Sequence, residues 1–235
     1  MLVYGATGRS GLCVVESALA AGWRVRAFVR SLNKLDAKLP AALRAQVTAT
    51  QGDLCDGAAV GAAVSAARPH AIVDCSSALP FGHEKGQPAN SADRDALCRA
   101  TLKALEADGR LGDCVLIIVG GQLFPEPGGT INSWGVACLA WVLRNLVMRT
   151  AWRQVEAHVR WLFEGTPPAF RFILVRMGYM VVEPSRGALQ PEATQNNIQR
   201  GAASYCDVGR ALVQLAGDKS RQWEHKALFF NYSKA

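Results

Sequence analysis

The chain has 235 residues, half of them apolar and 19% charged, a balance that suits one α/β domain with a sizeable core and excludes a disordered chain. Its seven cysteines show no C-x-x-C spacing and no clustering with the four histidines, which argues against a disulfide scaffold or a metal site and for a reducing compartment, read as the cytoplasm. The net charge of +7 comes from Lys and Arg scattered from Arg9 to Lys234, with no basic tail and no aromatic–basic stripe, so no nucleic-acid partner is expected and small anionic ligands account for the charge equally well.

Met1 to Tyr4 is a short apolar run that reads as a strand. Gly5-Ala6-Thr7-Gly8-Arg9-Ser10-Gly11 follows, and Leu12 to Ala21 reads as a helix. Strand, glycine turn and helix is the context in which a glycine pattern points to a dinucleotide. Gly5 permits a tight turn off the strand, Gly8 lets bare backbone approach a pyrophosphate, and Gly11 lets the helix pack close to the sheet. The free N–H groups at the helix start then face the phosphates. Thr7, Arg9 and Ser10 lie in the same loop and join the candidate cofactor set. A glycine turn with no ligand is the alternative.

Trp23 to Arg30 places Trp23, Val25, Ala27 and Val29 on one face, as in a second strand. An acid that accepts from the ribose 2′-OH of NAD is expected at the end of that strand. Arg30-Ser31 stands there instead, with Arg9 in the glycine loop. Two guanidinium groups and a hydroxyl suit a 2′-phosphate, because guanidinium binds phosphate bidentately. NADP(H) is therefore expected over NAD(H), the alternative being two solvated surface arginines.

Ser31 to Ala45 reads as a helix interrupted near Pro40, and Val47 to Gln51 as a third strand running into Gly52-Asp53-Leu54. Asp56 is the better cap for the Ala-rich helix that runs to Ala67, which leaves Asp53 free. Ala71 to Cys75 is a short buried strand followed by Ser76-Ser77-Ala78. The polar, glycine-rich loop from Leu79 to Ser91 could border a substrate, with His83 and Glu84 as candidates for proton handling, although lone loop residues are more often solvated. A helix from about Ala92 to Ala107 precedes Cys114 to Val119, an unbroken apolar run that reads as a central parallel strand. Alternating strands and helices imply a single Rossmann-type doubly wound parallel sheet with helices on both faces. The glycine loop, Arg30, Asp53, Ser76 and Gly120 then line one edge, at the carboxyl ends of the strands.

GATGRSG resembles the opening of the extended and atypical short-chain dehydrogenase/reductases. The chain is most similar to the atypical group that includes biliverdin reductase B, NmrA-like proteins and NAD(P)H-binding isomerase-like proteins. The resemblance implies that Arg9, Arg30 and Ser31 select NADPH. It implies that Asp53 of the G-D-L turn accepts from the adenine amino group while Leu54 covers the ring, and that Ser76 and Ser77 pass under the cofactor. It also implies that Phe172 to Gly178 matches the family's T-I-V-R-P-G strand and turn, with Met177 for the proline. Ala203 to Arg210 matches its I-S-x-x-D-V-A segment, in which Asp207 caps the following helix. Ala227 to Tyr232 would close the sheet.

The catalytic half of the family pattern is missing. The strand ending at Val119 leads to Gly120-Gly121-Gln122 rather than to a catalytic Ser or Thr, and no Y-x-x-x-K occurs. Asn132 to Glu164 is a long, nearly proline-free segment in which the family helix can be located. Matching Glu156 to the atypical K-x-x-x-E places Trp152 at the lysine and Met148 at the tyrosine, so no catalytic residue is assigned. Arg149, Arg153, Glu156 and Arg160 make one polar face, most simply a solvated one with ion pairs. The stretch from Trp134 to Val147 is too apolar for one buried stripe. The alternatives are a cover over the substrate site, a contact with a partner chain (a second copy of this one) or the core, and a contact with a membrane surface; partner or core is favoured, and a span is too short and carries Arg144. Residues 120–135 and 177–203 are read as small cap elements, with Pro184 to Arg200 as a substrate loop and Tyr179 at the cleft lip.

Two function classes follow. One is a reductase of an unknown small acceptor (quinone, flavin or carbonyl) lacking the Tyr/Lys pair. The other is an NADP(H)-binding redox sensor or interaction module. No membrane span and no signal peptide are read, although the chain begins almost inside its first strand and so leaves room for a preceding segment. Ser233-Lys234-Ala235 differs at one position from the S-K-L peroxisomal address.

Overall fold

The structure, a computed structural model, describes residues 1–76, 91–121, 127–129, 134–147, 149–193 and 201–232. Ser77, His83, Glu84, Met148 and Ser233-Lys234-Ala235 lie outside the described residues.

The first half runs β1 (Leu2–Tyr4), α1 (Arg9–Ala20), β2 (Val25–Val29), α2 (Leu32–Asp36), α3 (Ala41–Arg44), β3 (Val47–Gln51), α4 (Gly57–Ala67), β4 (Ala71–Asp74), α5 (Ser91–Ala107) and β5 (Val115–Gly121). The second half holds α6 (Trp134–Val142), a π-helical turn (Leu143–Val147), α7 (Arg149–Glu164), β6 (Phe172–Met177), β7 (Met180–Val181), β8 (Leu189–Ala193), β9 (Ala203–Ser204), α8 (Tyr205–Ala216) and β10 (Lys226–Tyr232). Eight strands form one sheet in the order β3-β2-β1-β4-β5-β6-β10-β8, and β7 pairs separately with β9. Every neighbouring pair of the large sheet is parallel except β10 with β8. The strand order turns back between β1 and β4, the switch point where an open α/β sheet leaves a crevice at its carboxyl edge.

Alternation along the strands builds a core on each face. Val3, Ala27, Val73, Ile117 and Val175 pack with Val14, Val15 and Leu212 of α1 and α8. Leu2, Phe28, Ile72, Leu116, Phe172 and Leu174 pack with Val60, Leu97 and Leu162 of α4, α5 and α7. Strands buried on both faces read as continuous apolar runs, which is why β4 and β5 were legible. Each fully buried side chain of this size contributes about 1.5–3 kcal/mol.

Three sequence expectations change here. The helix expected over Trp134–Val147 changes to a π-helical turn at Leu143–Val147. Asn145 Nδ2 donates to the Trp141 carbonyl at 2.8 Å, a side-chain bond that competes with the regular backbone ladder. Part of the expected substrate loop Pro184–Arg200 is instead the edge strand β8, antiparallel to β10 with Leu189 opposite Tyr232. Leu189 is buried, and Pro191 is tolerated because an edge strand has an unpaired side. Asp207 is not the cap of α8. Ser204 holds the N-cap position without a side-chain bond, and Asp207 sits buried in the first turn. Its carboxylate accepts from Ser185 Oγ at 2.7 Å, Arg186 N–H at 2.8 Å and Tyr232 Oη at 2.8 Å, and it pairs with Arg210. Burial alone would raise its pKa. The hydrogen bonds from Arg186, Ser185, Tyr232 and Arg210 outweigh that and hold the carboxyl below its ordinary range. The residue therefore ties the 183–186 segment to α8 and β10.

Candidate functional site

The turn after β1 has the geometry its glycines suggest. Gly5 has φ +69°, and a Cβ there would lie 2.9 Å from the Cys75 carbonyl carbon and the Ser76 nitrogen. Only glycine accepts both conditions cheaply. A Cβ on Gly11 would lie 2.2 Å from the Gly5 carbonyl oxygen, so this glycine lets the first turn of α1 nest against the loop itself. Gly8 is different. Its φ is −80°, and a Cβ would meet only the Gly5 carbonyl, at 3.3 Å. Gly8 leaves backbone bare without being demanded by the fold.

Gly8 is also the N-cap of α1, with no side-chain cap and no acid in the first turn. A helix start without its own cap offers N–H groups and a positive dipole end to an anion. The bare Gly8, the uncapped helix and the close turn together fit a dinucleotide pyrophosphate.

The cationic side chains frame that position. Arg9 is exposed, with its guanidinium 6.0 Å from the Tyr205 ring centroid, and Ser10 Oγ lies 3.9 Å from Met180 Sδ. Lys38, which the sequence reading missed, donates from Nζ to the Thr7 carbonyl at 2.8 Å. It stands two residues beyond α2, and its only local signal was a basic residue near the end of that helix. Arg30 is exposed at the end of β2. Ser31 caps α2 by accepting from Lys34 N–H at 3.2 Å, which leaves its own O–H able to donate. Asp53 is exposed and accepts from Cys55 N–H at 3.0 Å. That backbone bond, with Arg30 contributing at longer range, holds its carboxyl below the ordinary value despite some burial. Asp56 caps α4, accepting from Ala58 and Ala59 N–H at 2.9 and 3.1 Å, as expected. Leu54 is half-buried against the core below.

Beneath Ser76 lies a buried ion pair that sequence reasoning did not find. Asp74 closes β4 and is fully buried. Its Oδ1 accepts from Ser76 N–H at 2.8 Å and Ser76 Oγ at 2.5 Å, and its Oδ2 accepts from Arg94 Nε at 3.0 Å. Arg94 Nη2 also donates to the Ser76 carbonyl, and to the Val119 carbonyl at 2.8 Å. One arginine on α5 thus clamps the carboxyl ends of β4 and β5 and fixes the Ser76 backbone. The available signal was an acid ending an all-apolar strand, which requires a partner. Gly120 pairs with Arg176 across β5 and β6, so the glycine loop, Arg30, Asp53, Ser76 and Gly120 share the carboxyl edge as expected.

The second half of the edge carries no catalytic pair among the described residues. Trp152 is buried and donates from Nε1 to Glu156 Oε1 at 2.8 Å, so this side chain serves packing. Glu156 faces Arg144 at 3.6 Å across the π turn. His158 is buried; its Nδ1 lies 3.1 Å from Asp95 Oδ1, and among the described residues its Nε2 has no hydrogen-bond partner. Burial lowers its pKa against the opposing pull of Asp95, which favours the neutral ring at neutral pH. Tyr179 is 73% exposed. Among the described residues there is no cluster of three or more His, Cys, Asp or Glu that could hold a metal, and no helix is long and apolar enough to cross a membrane.

A fold with this switch point, this glycine turn and an uncapped first helix is that of a nucleotide-binding Rossmann protein. The chain belongs to the NAD(P)H-binding family, whose model matches residues 5–219. No curated protein matches it in sequence. Solved structures share its fold at low identity. A short-chain dehydrogenase/reductase of Veillonella parvula, in complex with NADP, superposes with TM-score 0.68 at 14% identity over 98% of this chain and 93% of its own. ChuY, an anaerobilin reductase of Escherichia coli O157:H7, gives TM-score 0.66 at 20% identity over 100% and 98%. The oxidoreductase ylbE of Lactococcus lactis gives 0.68 at 15% identity over 100% and 92%.

Proposed function

We propose that the protein is an NADP(H)-dependent reductase of an easily reduced small acceptor, a quinone, flavin or activated carbonyl, that works without the Tyr/Lys pair. The observation that carries the reading is the contrast between a complete cofactor cradle and the buried Trp152 at the lysine-equivalent position. Bound nicotinamide supplies a hydride. Gly8 and the start of α1 hold the pyrophosphate. Arg9, Arg30 and Ser31 hold the 2′-phosphate, and Lys38 adds charge beside Thr7. Asp53, Leu54, Ser76, Ser77 and Gly120 position the remainder. The acceptor's proton comes from water. A side-chain acid contributes typically 10²–10⁴-fold, a loss that quinones and flavins tolerate better than ketones do.

The test compares cofactors and acceptors. NADPH should bind more tightly than NADH, and Arg30→Asp should reverse or erase the difference; equal dissociation constants in the unmodified protein would refute the cofactor assignment. NADPH oxidation should proceed with quinones, flavins or dicarbonyls and be poor with simple ketones, and NADP+ reduction by secondary alcohols should be equally poor. Activity on a quinone should survive Tyr179→Phe.

A binding-module reading is favoured by one observation. Trp134, Leu139, Trp141, Val142, Leu146 and Val147 are all exposed, Trp134 at 85%. We read this face of α6 and the π turn as a contact with a second copy of the chain. Tight NADPH binding with no oxidation by any acceptor would favour the sensor over the reductase.

A further inference from the structure

Cys13, in the second turn of α1, and Cys206, in the first turn of α8, are 193 positions apart, yet their Sγ atoms lie 3.7 Å apart. Both are free thiols. The approach is dictated by backbone. α1 and α8 come so close that a Cβ on Gly209, one turn beyond Cys206, would lie 2.6 Å from the Cys13 carbonyl carbon. Helices in such contact hold facing side chains in a fixed relation. Cys206 is exposed and Cys13 half-buried, so an oxidant reaches the pair from one side. The same seam continues upward to Arg9 over Tyr205 and Ser10 beside Met180, directly under the glycine loop.

We propose that Cys13 and Cys206 are a modification site, a thiol pair that peroxide converts reversibly into a disulfide locking α1 to α8. The exposed Cys206 sulfur attacks hydrogen peroxide. An S–O bond forms, the O–O bond breaks, and one water leaves, giving a sulfenic acid. The Cys13 sulfur then attacks the Cys206 sulfur. The S–S bond forms, the S–O bond breaks, and hydroxide leaves with the Cys13 proton as a second water. Two thiols lose two electrons and two protons, and the peroxide is reduced to two waters. A dithiol reductant reverses the link by exchange.

The order of events follows from the surroundings. Burial, with the Cys206 thiol beside it, pushes the Cys13 thiol up to about 12. It therefore stays protonated toward free peroxide and acts as the resolving partner, held in contact. Cys98 and Cys114 are buried and Cys75 is half-buried; burial raises each of the three thiols, which disfavours their reaction with peroxide.

The experiment treats the whole protein with stoichiometric hydrogen peroxide, alkylates remaining thiols, and maps peptides without reduction. The Cys13 and Cys206 peptides should appear linked. The melting temperature should rise by about 5 °C, because the link closes a long loop in the unfolded chain, and dithiothreitol should reverse both changes. Cys206→Ser should abolish the link and the shift. Cys13→Ser should leave a Cys206 sulfenic acid that dimedone captures. Cys13 fully alkylated after oxidation of the unmodified protein would overturn the proposal, as would a link from either cysteine to Cys55 or Cys138. The peptide map of the unmodified protein decides the matter even if a variant fails to fold.

Discussion

Two stretches of the same carboxyl edge are built in opposite ways. From β1 to β4 the edge presents backbone. Gly5, Gly8 and Gly11 keep it bare, Asp74 and Arg94 satisfy one another beneath it, and the start of α1 is left without a cap. From β5 to α7 the edge presents side chains spent on packing. Gly120 and Gly121 end the strand, Trp152 is buried, and apolar residues of α6 and the π turn face outward. On the function proposed above, cofactor binding and proton delivery are separable parts of this fold. The first rests on backbone geometry that short motifs specify. The second rests on a few protic side chains that can be exchanged without disturbing the sheet.

The comparison can be broken most severely at its buried support. Arg94→Met leaves Asp74 fully buried without its cation and should cost about 3–5 kcal/mol, seen as a fall in melting temperature of about 10 °C. The double variant Asp74→Asn with Arg94→Met should recover part of that loss, because it removes both charges. A double variant no more stable than Arg94→Met alone would contradict the account of the clamp.

The glycines separate folding from binding. Gly11→Ala pushes a Cβ into the Gly5 carbonyl and should cost about 3 kcal/mol. Gly8→Val should shift stability by only about 1 kcal/mol yet abolish the thermal stabilisation that NADPH confers on the unmodified protein. Thermal shift with and without NADPH reads both, and retained stabilisation in Gly8→Val would remove Gly8 from the pyrophosphate site.

Asp207 sharpens the contrast with titration. Its folded pKa lies below the unfolded value, so its contribution is present above the unfolded carboxyl pKa near ~4 and is lost as pH falls through the folded value. Asp207→Asn should therefore cost about 2 kcal/mol at neutral pH. Denaturant titration of both proteins should show the gap narrowing once pH drops below ~4.

The smallest effect belongs to the apolar face. Trp141→Glu should leave monomer stability within about 0.5 kcal/mol, because the side chain is already exposed. If that face joins two copies, the variant should reduce oligomeric mass in solution. An unchanged mass would reject the contact.

The sequence by itself determined the strand–glycine–helix opening, the cap at Asp56, the apolar strands and the absence of Y-x-x-x-K. Each depends on neighbours within a few positions: a positive φ, a missing Cβ, an alternation, a capping oxygen. Lys38 against Thr7, Arg94 beneath Ser76, the Asp207 cluster and the Cys13–Cys206 pair belong to the tertiary structure alone. Apart from Arg210 beside Asp207, they join residues between 18 and 193 positions apart, and no local propensity records which partner a crossover will deliver. The same reason turned a reading of Leu189–Ala193 as loop into strand. The free edge of β10 supplied hydrogen bonds that the segment could not reveal about itself.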